Sequence, residues 1–486
     1  MASQRNSIEA KDCSPFNKKD LKKEGQALLV LCEYFENTMK GYKDADEKIA
    51  SLQTRWYKYD DDSEATLQTR WWADRYIGVA NINNVEISIR PRYGEKFLLN
   101  ILSDLYNIKF VENHSLNEKS EKEWFSNLLK LLRRRIWVDK CAKANRYGLP
   151  RMNVKYEHQG PALHGALDVR RTIKPWLMKK EICTNTYEKT LDDNICRIVY
   201  EAHRILSRDI ITAKKIRRKL NANKNTSLGF STPSIVQETI DVLNTQYKGS
   251  VFNLTENDYH CIRYKSIYQS WKPLVDYSWG VIRERQFGLK FSNSLSECVF
   301  VDIAEIWEAF LRKKLGERLA EDGWRVWSVE ECHRPIYEKT FYKRDIIPDI
   351  ILQKGDKYIV FDAKYKRMQG VKKNVKDSDV DRADLFQIHT YIQYVQHHLG
   401  KVVLGGLLYP LEVDIDGNDA SVLNTFHSKQ LFGCDAKVDN NEPIPFIIDG
   451  IYCNEKEMNN RKPKEIADEM EKRVKGMINR IKKYIN

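Results

Sequence analysis

Residues 344–367 read RDIIPDIILQKGDKYIVFDAKYKR, and this stretch decides how the C-terminal half of the chain is organised. Two apolar runs, 346–352 and 358–361, flank the polar turn Gln353-Lys354-Gly355-Asp356, so the spacing predicts an antiparallel hairpin. Asp349 falls in the middle of the first run, and Asp362 and Lys364 stand at the end of the second. Asp362 and Lys364 are two residues apart and therefore share a face. Lys366 is expected on the opposite face. A carboxylate inside an apolar strand is costly unless something binds it. Two carboxylates on adjacent strands repel unless a cation sits between them. Hard divalent ions such as Mg²⁺, or Mn²⁺, take oxygen ligands of this kind. With such an ion polarising a phosphoryl oxygen, and Lys364 holding the attacking water or helping to deprotonate it, the set suits phosphodiester hydrolysis.

Working outward, the segment 299–319 reads as a helix with the buried stripe Ile303, Ile306, Trp307, Phe310, Leu311 and Leu315. Glu308 lies at the edge of that stripe. It either turns inward as a third carboxylate or pairs with Arg312 one turn on. Downstream, Gln387 and Tyr391 are four apart on a helix and share a face, suited to bracing the lysine or touching a phosphate backbone. His389 lies between them on another face, and His333 precedes the hairpin as a weaker candidate. Lys364, Lys366, Arg367, Lys372, Lys373 and Lys376 crowd the stretch after the second run and form a candidate DNA-binding loop. Other D-x-K triplets exist, such as Asp435-Ala436-Lys437 and Asp20-Leu21-Lys22. Neither follows an apolar run, and Pro348-Asp349 is the sole Pro-Asp pair in the chain.

The bulk composition agrees with a globular nucleic-acid partner. The chain has 486 residues with 42% apolar and 31% charged residues, and a net charge of +13. The 11 Trp, 25 Tyr and 17 Phe exclude a disordered chain despite the high charge. A positive excess of this size favours a polyanion. Ten cysteines contain no C-x-x-C pair, which argues against a zinc ribbon and for reduced thiols in a cytoplasmic protein. The N-terminus lacks the apolar core of a signal peptide, and no run of about 18 apolar residues is present, so no membrane span is expected. No G-x-x-x-x-G-K-[ST] pattern occurs, so no nucleotide site of its own is expected.

The N-terminal half reads as mixed strand and helix. LQTRW occurs at 52–56 and 67–71 around an acidic turn, which predicts a hairpin, possible as an exposed aromatic and basic surface but more simply two similar strands. Strands are expected over 76–92 with a turn at Asn83-Asn84, and helices over 21–40, 95–107, 121–138 and 191–206. The segment 164–173, HGALDVRRTI, reads as a short strand. The basic run 214–219 reads as a solvated helix face. Gly288, Ser292, Asn293, Ser294 and Ser296 mark a boundary. These features divide the chain into an extension with a hairpin (1–75), a middle region (76–290), a C-terminal α/β domain (291–453) and a basic terminal helix (454–486).

Four segments in order carry a resemblance. DIAEIWEAF (302–310), IIPDIIL (346–352), FDAKYK (361–366) and ADLFQIHTYIQY (383–394) resemble McrC, the nuclease subunit of modification-dependent (type IV) restriction systems and a PD-(D/E)XK family. More weakly, 76–106 and 164–173 resemble the N-terminal part of that family. The resemblance implies an α+β or α/β multidomain chain whose C-terminal half is a restriction-endonuclease-like mixed sheet flanked by helices. It implies catalysis at Asp349, Asp362, Lys364 and Glu308, with Mg²⁺ or Mn²⁺ held by Glu308, Asp349, Asp362 and the carbonyl of Ala363. The implied substrate is double-stranded DNA carrying a modified base, in a prokaryotic cytoplasm. The implied partner is a hexameric AAA+ GTPase of McrB type, docked and stimulated by residues 1–290. A non-catalytic adaptor and a stand-alone nuclease are the alternatives.

Overall fold

The computed structural model describes residues 7–39, 48–57, 66–83, 85–106, 118–219, 232–290, 295–335, 345–366, 381–411, 444–459, 461 and 463–485. It is a mixed α/β molecule with several sheets and more than one core.

The C-terminal sheet has five strands in the order Arg325–Val326, Ile350–Lys354, Lys357–Ala363, Lys401–Leu411 and Phe446–Tyr452. The first three run antiparallel and the last two are added in parallel. Lys354 pairs with Lys357, so the turn is only Gly355-Asp356, and Gly355 sits at φ +62°. A glycine at the first central position of a two-residue hairpin adopts that conformation without strain. Alternation sends Ile350, Leu352, Ile359 and Phe361 to one face and Ile351, Tyr358 and Val360 to the other. The first face packs on the helix Ile303–Leu319 through Trp307, Phe310 and Leu311. The second packs on the helix Arg382–His398 through Ile388, Ile392 and Val395. That helix lies close to the sheet because Gly405 has no side chain; a Cβ there would collide with Ile392.

The first run of the hairpin differs from the sequence expectation. Asp345–Ile346 pairs with Arg334–Pro335 in a small sheet of its own, and the ladder of the main sheet begins only at Ile350. Pro348 has no N–H to give to a ladder, so it interrupts the strand. Asp349 therefore stands at the mouth of the strand and not in its middle. The helix expected from 299 likewise begins later. Residues 295–302 form a strand, and Asp302 ends it by capping the helix, accepting from the Ala304 N–H at 2.9 Å.

The N-terminal sheet has the order Ser7–Lys11, Val85–Arg90, Tyr76–Ile82, Leu295–Asp302. Residues 1–75, expected as an extension, thus contribute a parallel edge strand to it. The helix Lys18–Met39 covers one face with Leu28, Leu31 and Phe35. Ile77, Val79, Val299 and Val301 on the other face join the core of the C-terminal sheet. The terminal helix Pro463–Ile485 packs into that same core with Met470, Val474, Met477, Ile478 and Ile481. Lys464, Lys472, Lys475 and Lys483 lie on its exposed side, whereas Arg473 is buried against Glu457 and Glu469 and Arg480 pairs with the buried Asp449 at 2.9 Å. The two LQTRW copies pair with one another, Thr54 opposite Thr69 at their centre, in the hairpin Ala50–Tyr57 and Thr66–Ala73.

A third core is helical, built from Glu118–Ala144, Asp193–Lys219, Ser234–Tyr247 and Lys272–Lys290 around Trp137, Trp271 and Trp279. From it projects a small outcrop: strands Arg151–Gly160, Ile182–Leu191 and Ala166–Leu167, and the helix Val169–Lys179. Here the short strand expected over 164–173 is only two residues long. Asp168 ends it by capping the helix, its side chain accepting from the Arg171 N–H at 3.1 Å.

Candidate active site

Asp362 is the last inward residue of the strand Lys357–Ala363 and is 1% exposed. Asp349 reaches it from the mouth of the neighbouring strand, where its Oδ2 accepts the Ala363 N–H at 2.8 Å. Burial pushes the Asp349 carboxyl well above the usual carboxylate range, and the charges of Asp362 and Glu308 push it further. Two carboxyls in this position are a site for a cation or a shared proton.

Lys364 lies beyond the strand end, its N–H donating to the Leu408 carbonyl at 2.9 Å. Its ammonium is 2.6 Å from Asp362 Oδ2 and 3.5 Å from Asp384 Oδ1. It donates to Gln387 Oε1 at 2.6 Å, and Gln387 Nε2 in turn donates to the Tyr391 hydroxyl at 2.8 Å. Gln387 and Tyr391 thus brace the lysine. Burial works to lower the Lys364 pKa, but Asp362 first, then Asp384 and Asp349, raise it on balance. The side chain is a cation.

Glu308 makes the ion pair with Arg312, four residues on. Arg312 also donates Nε–H to the Asp349 carbonyl at 3.1 Å, so it ties Glu308 to the mouth of the hairpin. The Glu308 carboxyl is pushed up by burial, against the pull of Arg312, with Glu305 and Asp362 adding to the rise. Glu308 is therefore within the field of the aspartates while facing an arginine.

The donor chemistry suits a hard divalent cation: carboxylate oxygens from a buried Asp362 and a partly exposed Asp349. Asp362 Oδ2, although ion-paired to Lys364, is buried and accepts no aligned hydrogen bond. Among the described residues no three Asp, Glu, His or Cys side chains converge closely enough to cage an ion. Asp349 and Asp362 would be the core of any such donor set, and Glu308 could join it only by leaving Arg312.

Lys366 corrects the expectation of an opposite face. Its Nζ is 2.9 Å from both oxygens of Asp384 and 3.1 Å from Asp381 Oδ2. Residues 364 and 366 share parity, and Asp384 receives both lysines. Sequence reasoning misses Asp384, although it sits one helical turn before Gln387. His333 pairs with Asp345 at 3.7 Å, outside this network. Arg367, Lys372, Lys373 and Lys376 lie outside the described residues.

The family model described as McrBC 5-methylcytosine restriction system component matches residues 72–410. No curated protein matches the chain. Among solved structures, a half-complex of Thermococcus gammatolerans McrB AAA+ hexamers with bound McrC is similar at 14% identity, over 96% of this chain and 99% of that one, with a TM-score of 0.38. The McrBC complex of the same organism is similar at 15% identity, over 64% of this chain and 88% of that one, with a TM-score of 0.33. The family match runs unbroken from the end of the LQTRW hairpin, through the hairpin that carries Asp349, Asp362 and Lys364, to the strand beside it. The chain belongs to the McrBC 5-methylcytosine restriction system component family.

Proposed function

We propose that this chain is the nuclease subunit of its restriction system, a divalent-metal-dependent endonuclease of PD-(D/E)XK type acting on double-stranded DNA that carries a modified base. The observation that carries the reading is the placement of Asp349, Asp362 and Lys364 at one open end of the sheet, with Lys364 braced by Gln387. Asp349, Asp362 and the carbonyl of Ala363 would hold Mg²⁺ or Mn²⁺, and Glu308 would complete the set. Such an ion, when bound, polarises the scissile phosphate and lowers the pKa of a coordinated water.

The remaining roles belong to the chain itself. Lys364 is held as a cation by Asp362 and Asp384, which suits it to orient the attacking water and balance charge on the phosphate more than to remove a proton. Gln387 fixes the direction of the ammonium, and Tyr391 fixes Gln387. Lys366, 49% exposed at the rim, is positioned to exchange its acidic partners for a DNA phosphate.

The same reading includes a motor. The chain lacks a Walker A pattern and its family is a component of a system, so an AAA+ GTPase partner of McrB type, a hexamer, supplies nucleotide hydrolysis. The outcrop is the surface offered for docking. Its helix Val169–Lys179 has no buried residue, and Val169, Ile173, Leu177 and Met178 are 59–74% exposed. Exposed apolar side chains gathered on one small element mark an interaction site.

The test is cleavage of methylated and unmethylated DNA by the full chain, with and without its motor partner, in Mg²⁺ and in excess chelator. The reading expects cutting only with the ion, the motor and the modified base together. Cutting that persists in chelator would overturn it. A chain that stimulates the motor yet never cuts would make it an adaptor.

A further inference from the structure

The strand that carries Asp362 ends at Ala363, and the Lys364 N–H makes the last ladder bond. Beyond Lys364 the sheet no longer holds the chain. Tyr365 holds it instead, because its side chain turns the opposite way into a buried aromatic cluster. The Tyr365 ring meets Tyr93 edge-on at 6.1 Å and Trp307 at 6.4 Å. The Arg92 guanidinium lies over the Tyr365 ring at 4.6 Å and over the Tyr93 ring at 4.8 Å. Cys13 Sγ approaches the Tyr365 carbonyl at 3.8 Å.

Arg92 is an unusual filling for such a place. It is 5% exposed, and its three guanidinium nitrogens find no hydrogen-bond acceptor among the described residues. Its carboxylate counterpart is Asp12, fully buried, 3.8 Å away, and fixed by accepting the Arg92 N–H at 2.6 Å. A buried pair of this kind adds little net stability, because desolvation of both charges offsets their attraction. What it supplies is a defined geometry, a cation clamped between two rings.

We propose that Arg92 and Asp12 are positioning residues for the nuclease centre: the Asp12–Arg92 pair clamps Tyr365, and the clamp fixes the backbone of Lys364 next to it. The inference rests on the nuclease reading above. It also gives the N-terminal segment a task in the C-terminal site, since Asp12 lies outside the matched residues 72–410. Displacement of a positioned cation by about an ångström is enough to cost on the order of a hundredfold in rate.

The experiment uses the full chain with its motor partner and modified DNA, in wild type, Arg92→Met, Arg92→Lys, Asp12→Asn and Lys364→Ala forms. Arg92→Met keeps the volume and should fold, judged by thermal melting. It should lower cleavage kcat by about tenfold or more, with KM changed by less than about twofold. Arg92→Lys, which restores a cation over the rings, should recover part of the loss, and it keeps the test open if the methionine variant is unstable. Hydrogen exchange supplies a readout independent of cleavage. In Arg92→Met, the amides of Ala363 and Lys364, which donate to Asp349 and Leu408, should exchange about tenfold faster while 358–361 stay protected. A folded Arg92→Met that cuts within twofold of wild type, or that exchanges like wild type at 363 and 364, overturns the proposal. Uniform loosening of the whole sheet also overturns it, since that is a packing role alone. If wild type cuts no better than Lys364→Ala, the nuclease reading fails by itself, and the exchange pattern still decides the clamp.

Discussion

The end of the C-terminal sheet that carries Asp349, Asp362 and Lys364 and the outcrop at 151–191 treat their side chains in opposite ways. At the sheet end, charged groups are drawn inside and the cations are answered: Lys364 by Asp362, Asp384 and Gln387, and Arg312 by Glu308. In the outcrop, apolar groups are pushed outside and none of the described residues covers them: Ile173 is 59% exposed and Leu177 72%. Both arrangements cost free energy in the isolated chain. Carboxylates drawn together at an open strand end suit chemistry on a small ion and a phosphate. Exposed apolar surface is the mark of one that is covered by another protein. On the function proposed above, one chain carries a cutting end in the C-terminal sheet and a docking end in the outcrop.

The comparison predicts that the two ends fail separately. The largest effect is expected at the cutting end: Lys364→Ala should lower cleavage by on the order of 10²–10³ while leaving motor stimulation intact, because it removes one electrostatic donor at the reacting phosphate. A gel assay of modified DNA beside a GTPase assay reads both. The converse is Ile173→Ser with Leu177→Ser. It should weaken motor binding by about 2 kcal/mol or more, and with it GTPase stimulation, as loss of central apolar anchors does. The melting temperature of the free chain should hardly move, because the lost side chains are exposed. Equal loss of stimulation in both variants would erase the distinction.

Smaller changes sharpen it. Gln387→Ala frees the Lys364 ammonium from its brace and should cost about 1.5 kcal/mol, or roughly tenfold in kcat, with little change in DNA affinity. Replacing Lys372, Lys373 and Lys376 with Ala should weaken DNA binding and flatten its salt dependence, by up to about 0.9 in log–log slope per lost phosphate contact. Fluorescence anisotropy across a salt series measures this, and an unchanged slope would take the loop off the DNA path.

Asp349→Asn tests the cost of buried charge directly. In the folded chain the Asp349 carboxyl favours its neutral form, so its contribution to stability is full at low pH and is lost as pH rises through the folded value. The asparagine keeps an acceptor for the Ala363 N–H and carries no charge. Without divalent ions its melting temperature should therefore match wild type in acid and exceed it increasingly as pH rises. A gain of about 1 kcal/mol corresponds to roughly 2 °C in a domain of this size. A variant less stable than wild type at high pH would mean that Asp349 and Asp362 do not repel.

Much of the candidate site is legible in the sequence because periodicity and polarity disagree there. Asp362 interrupts an apolar strand, and the helical stripe from Ile303 to Leu315 puts Glu308 at its edge, just as the structure has it. Gln387 and Tyr391 share a face because they are four apart. The misses come from counting or from distance. Lys366 has the parity of Lys364, so the expectation of an opposite face fails on simple alternation. Pro348 is half of a motif, but it is also a strand breaker, and the second property sets where the ladder begins. Asp168 reads as part of a strand, yet an aspartate before a helix-compatible run is a cap signal. Asp12 and Arg92 cannot be paired from sequence: they are 80 residues apart, and only the parallel pairing of Ser7–Lys11 with Val85–Arg90 brings them together. The terminal helix is legible in the same way: Met470, Val474, Met477, Ile478 and Ile481 fall on one side of it at helical spacing, and that side packs into the core.

The central claim is that Asp349 and Asp362 hold a divalent cation beside a lysine that is already charged. Titration of the full chain with Mn²⁺ near neutral pH, followed by calorimetry, tests this most directly. The account predicts saturable binding in wild type, loss of that binding in Asp362→Asn, and its retention in Gln387→Ala, since Gln387 bonds to Lys364 and Tyr391 and to neither aspartate. Equal Mn²⁺ binding by wild type and Asp362→Asn would contradict it.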